Sequence, residues 1–118
     1  MIRALATLLG AALALGPGVV AAHSLLLEAS PAADALLPIS PAEIALRFNN
    51  RIEKRLSIVR LVDGRGEAVR VDVRPDGPAD RLSASVPTLG PGTWRLEWRV
   101  LSTDGHVVTG RYSFRIAP

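Results

Sequence analysis

Apolar and polar residues alternate one by one along several short stretches of this chain. Ile44, Leu46 and Phe48 are separated by Ala45 and Arg47, and Val69, Val71 and Val73 by Arg70 and Asp72. Trp94, Leu96, Trp98 and Val100 interleave with Arg95, Glu97 and Arg99. Val108, Gly110, Tyr112, Phe114 and Ile116 interleave with Thr109, Arg111, Ser113 and Arg115. A period of two belongs to a strand with one face in a core and the other in water. Weaker strand patterns cover residues 24–29, 56–62 and 82–86, which brings the expected number of strands to seven. Between them lie Asp63-Gly64-Arg65-Gly66, suited to a hairpin, and two strong breakers, Pro75-Asp76-Gly77-Pro78 and Leu89-Gly90-Pro91-Gly92. Short strands joined by such turns predict an all-β sandwich or small barrel. The Ala- and Pro-rich residues 32–41 are expected to be a loop with room for one helical turn.

The start of the chain breaks this pattern. Arg3 precedes an apolar run from Ala4 to Leu15, Gly16-Pro17-Gly18 interrupts it, and Val20-Ala21-Ala22 supply small residues. This is the layout of a secretory leader cleaved after Ala22. The run falls short of the ~20 residues that a permanent bilayer-spanning helix needs. The expected organisation is therefore a signal peptide at 1–22 and one domain at 23–118, exported to the periplasm.

Composition narrows the chemistry. The absence of cysteine excludes disulfides, thiolate zinc sites and a cysteine nucleophile. The formal net charge is only +3, and apart from Lys54 the basic residues are arginines set singly among apolar ones. Such scatter suits a solvated strand face and argues against a nucleic-acid partner. The five aromatics, Phe48, Trp94, Trp98, Tyr112 and Phe114, fall on apolar positions of the alternation and are expected in the core.

Two histidines remain, both in telling places. Cleavage would make His23 the first residue, with a free α-amine whose reference pKa lies near 8. Amine and Nδ1 of one residue can close a six-membered chelate ring, a nitrogen pair that suits copper(II). His106 ends a polar turn, Ser102-Thr103-Asp104-Gly105-His106, between the two most regular strands. Residues two apart in an extended segment project to one side, so Asp104 and His106 can converge on one ion. Gly105 between them permits a tight backbone. Amine, two imidazoles and a carboxylate make four N/O ligands for copper(II); each half alone is also what a chance residue or a plain turn would give.

With these residues assembled, the chain resembles the CopC-type periplasmic copper-resistance and copper-carrier proteins. The likeness rests on Ala22-His23-Ser24 with Leu27, Ser30-Pro31-Ala32, Pro41 and Ile44-Ala45-Leu46-Arg47-Phe48. It rests equally on Trp98 to Gly110 with Ser102-Thr103-Asp104-Gly105-His106 inside, followed by Tyr112-Ser113-Phe114. The resemblance implies a seven-stranded, immunoglobulin-like Greek-key sandwich and a copper(II) site at His23, Asp104 and His106. It also implies a non-enzymatic carrier, working beside a CopD-type inner-membrane protein that here would be a separate chain. Two departures accompany it. Met1 is the only methionine, so the soft thioether set that copper(I) selects is absent from 23–118. Asn49 and Asn50 stand where such proteins often place a carboxylate, which limits any part near the metal to hydrogen bonding. Two other functions compete: a copper oxygenase that begins with a chelating histidine, and a metal-free adhesion sandwich. The first needs an open coordination position and a broad substrate surface, which a carboxylate ligand and so small a chain oppose.

Overall fold

The computed structural model describes residues 25–118. The leader expected at 1–22 and the ligand expected at His23 lie outside these residues. Eight strands are present among them: β1 (Leu26–Ser30), β2 (Leu36–Leu37), β3 (Glu43–Phe48), β4 (Ile58–Val62), β5 (Ala68–Val73), β6 (Arg81–Ser85), β7 (Gly92–Leu101) and β8 (Val107–Ile116). A single 3-10 turn, Lys54–Leu56, leads into β4. Seven of the strands occupy the stretches in which alternation predicts them. The eighth, β2, lies in the segment expected to be a loop and pairs parallel to β8 through Leu36–Arg115 and Leu37–Ile116. Two residues have no periodicity to read, and their pairing is a tertiary event.

The strands are hydrogen-bonded in the order β1-β3-β6-β5-β4-β7-β8-β2. β5 is where this ribbon folds over. Its first part pairs with β4, from Val71–Val59 to Ala68–Val62, whereas Asp72 and Val73 pair with Ser85 and Ala84 of β6. One layer is thus β1-β3-β6-β5 and the other β5-β4-β7-β8-β2, with the chain crossing between them after β1, β2, β3 and β6 and passing back through the shared β5. That connectivity is the immunoglobulin-like Greek key.

The core fills the space between the layers. Ile44, Leu46 and Phe48 of β3 and Leu82 and Ala84 of β6 are fully buried against Val59, Leu61, Leu96, Val100 and Phe114. Trp94 and Trp98 are buried too, and Tyr112 packs against them half-covered. Each large apolar side chain removed from water contributes about 1.5–3 kcal/mol, so the arginine-interrupted alternation is what holds the two layers together. Phe48 and Trp98 meet edge to face with centroids 6.5 Å apart, and Trp98 and Tyr112 lie 5.9 Å apart. Trp98 covers Gly110, its partner across the β7–β8 ladder, so closely that a Cβ there would lie 2.2 Å from the indole. The tyrosine hydroxyl donates to the Pro31 carbonyl, fastening β8 to the segment between β1 and β2.

Turn chemistry follows the sequence. Asp63 Oδ1 accepts from the amides of Arg65 and Glu67, both at 2.9 Å, and Gly66 takes φ +86°, which closes the β4–β5 hairpin. The Nζ of Lys54 donates to the carbonyls of Asp76 and Gly77, at 2.7 and 3.0 Å, and so holds the turn before β6.

Candidate metal centre

β7 and β8 are ten residues each and pair along their whole length, ending at Leu101–Val107. The 102–106 turn therefore stands on a rigid hairpin. Ser102 is buried, its amide donating to the His106 carbonyl at 3.0 Å and its hydroxyl to Asp104 Oδ1. The Gly105 amide donates to the Ser102 carbonyl at 2.9 Å, and Gly105 has φ +93°. That conformation, not crowding, is what asks for glycine, since nothing lies within 4 Å of a Cβ placed there.

Asp104 turns its carboxylate back over its own loop. Oδ1 accepts from the His106 amide at 3.0 Å, an Asx-type contact two residues on, and lies 3.1 Å from His106 Nδ1. The Ser102 hydroxyl, and next the His106 amide, hold this carboxyl well below the usual range, at about 2. It is therefore ionised at any pH the protein would meet. Two donor atoms bound at ~2.0–2.1 Å and at right angles on one ion stand about 2.8–3.0 Å apart. The Oδ1–Nδ1 separation is close to that. Asp104 and His106, predicted as a pair from their spacing, are thus brought together by the turn, and both keep part of their surface in solvent.

Among the described residues no three histidine, cysteine or acidic side chains gather into a group that could hold a metal. Asp104 and His106 are two of the three residues expected to hold a metal, and the third, His23, lies two residues before the first described residue. The course of the chain there is informative. The Leu25 amide donates to Asn49 Oδ1 at 2.6 Å, and the Asn49 amide donates to the Leu25 carbonyl at 3.0 Å. Two residues further, the Arg51 carbonyl accepts from the Thr103 amide at 3.1 Å, and Ile52 bridges Ser102. The short link 49–52 thus touches both the start of the described chain and the turn that carries Asp104 and His106. Sequence reasoning left Asn49 with an undefined hydrogen-bonding part; its partner turns out to be the backbone of Leu25. The part of Ser102 as donor to Asp104 was not foreseen, although a serine two residues before an aspartate in a turn is a local signal for it.

A family profile, that of the CopC domain, matches residues 26–117. The chain belongs to the CopC family. Protein YobA of Escherichia coli (strain K12) is 31% identical over 98 residues, covering 80% of this chain and 79% of YobA. The crystal structure of CopC from Methylosinus trichosporium OB3b superposes with a TM-score of 0.78 at 34% identity, covering 81% of this chain and 95% of that one. PcoC from Escherichia coli, described as a methionine-rich copper resistance protein, superposes with a TM-score of 0.68 at 26% identity, covering 80% of this chain and 98% of its own. Against PcoC, this family member differs in one chemical respect: no methionine follows Met1.

Proposed function

We propose that this CopC-family chain is a carrier or sequestering protein for copper(II) in the periplasm, and that copper is its cargo. In this reading residues 1–22 are removed on export, and the new terminus supplies the amine and imidazole of His23. Asp104 and His106 supply the remaining two ligands. The observation that carries the reading is the 102–106 turn, which holds an ionised carboxylate 3.1 Å from an imidazole nitrogen. The anchoring of Leu25 by Asn49, on the link that also reaches Thr103, supports the delivery of His23 to that turn. A set of nitrogen and carboxylate donors without thioether suits copper(II) and not copper(I). The chain acts without catalysis, exchanging the ion with a separate CopD-type membrane protein.

The test is a copper(II) titration of the processed protein beside a variant carrying one extra alanine before His23. The insertion turns the chelating amine into an amide, so affinity is expected to fall at least a hundredfold. Equal affinity of the two proteins would place the site elsewhere.

A further inference from the structure

The outward face of the β5-β4-β7-β8 layer carries six arginines, Arg60, Arg70, Arg95, Arg99, Arg111 and Arg115. Its acidic residues are Glu97 and, at the β5 corner, Asp72. Glu97 is committed to Arg60 and Arg95, at 2.6 and 2.8 Å, and both hydrogen bonds pull its carboxyl below the ordinary range. Among the described residues, Arg70, Arg99, Arg111 and Arg115 have no carboxylate within salt-bridge distance. Arg60 and Arg70 are also direct cross-strand partners, a like-charge pairing that folding alone disfavours. On the opposite face Arg47 pairs with Glu28 at 2.5 Å and Arg74 with Glu43 at 2.7 Å, which leaves Arg81, across the strands from Arg47, as the arginine there without a carboxylate partner among the described residues.

The four uncompensated arginines lie on β5, β7 and β8, over an area of about 14 Å across the strands and about 20 Å along them. That is wider than one oxyanion and two-dimensional, unlike the single stripe an extended peptide needs. Stable protein interfaces are built on a desolvated apolar centre with aromatic anchors. The large apolar side chains exposed on this face are Ile58 and Val107, with no aromatic among them, so attraction would be mainly electrostatic. Guanidinium groups make paired hydrogen bonds to phosphate, and a surface of anionic headgroups offers phosphates in two dimensions. We propose that this face docks the protein on an anionic lipid bilayer, leaving the 102–106 turn at the end of the hairpin free.

The test is co-sedimentation of the full chain with vesicles of phosphatidylethanolamine and phosphatidylglycerol. Binding to phosphatidylcholine vesicles is subtracted, and every protein compared keeps residues 1–22, so that segment contributes equally to each. Two charge-matched variants are compared: Arg70, Arg99, Arg111 and Arg115 all changed to Gln, and Arg55, Arg65, Arg74 and Arg81 all changed to Gln. Basic groups near an anionic surface act roughly additively, about fivefold each, so the first variant is expected to lose up to about a thousandfold in excess binding and the second much less. Salt at 0.5 M should abolish the excess in the unaltered protein. Equal losses in the two variants would reduce the effect to net charge and overturn the proposal, as would an unaltered protein with no excess on phosphatidylglycerol. Failure on vesicles with arginine-dependent capture on immobilised polyglutamate would assign the face to an acidic protein instead. None of these arginines belongs to the metal centre, so the outcome is independent of the copper titration.

Discussion

Asp104, one of the ligands proposed for copper, shows how far a short turn can arrange a carboxylate by itself. Donation from Ser102 and the His106 amide keeps its carboxylate ionised further into acid than an ordinary aspartate, and the same bonds fix its direction. Its pKa in the folded chain is lowered from 3.8 to about 2. The stabilisation of the turn is therefore complete above the ordinary carboxylate range and is lost as pH falls through about 2. Copper(II) release should follow a different group. Metal binding competes with protons at imidazole and amine nitrogens, so an acid titration followed by the copper absorption band is expected to empty the site in the range of histidine protonation. Release only near pH 2 would mean that carboxylates dominate the ligand set.

At the scale of elements, the β7–β8 hairpin is both the wall of the core and the platform of the site. Gly110 is its tightest point, because Trp98 occupies the space a side chain would need. Changing Gly110 to Ala is expected to destabilise the protein by about 1–3 kcal/mol, read as a lower urea midpoint with unchanged slope. An unchanged midpoint would show that the indole can move aside freely. The strands were legible in the sequence because one face of each is in the core, and the period of two records that burial directly. Asp104 and His106 were legible for a similar reason, being two apart in a short turn. β2 and the Leu25–Asn49 exchange were not, since each joins segments far apart in the chain and leaves no local pattern. The arginines of the outer face were legible as strand-face residues. Their want of acidic partners could be seen only once β4, β5, β7 and β8 lay side by side.

For the molecule as a whole, the two layers share β5, and the link 49–52 ties the first strand to the 102–106 turn. Copper held by His23, Asp104 and His106 would close that same connection from outside the core. A ligand that binds only the folded state at a hundred times its dissociation constant contributes about 2.7 kcal/mol. In a domain of this size that is expected to raise Tm by about 10 °C or more. Calorimetry with copper(II) and then with excess chelator should show the rise and its reversal, and a His106→Ala variant should show neither. The double hydrogen bond between Leu25 and Asn49 has a further consequence for the kinetics of exchange. In the proposed site His23 would stand at a cleaved terminus only two residues from this fixed point, and ligands tethered so closely would return at a high effective concentration. Two ligands on a short leash can lift off and return many times before the ion is lost to bulk water. An acceptor that intercepts the ion during one such excursion would draw copper from a tight site without the sandwich itself having to open.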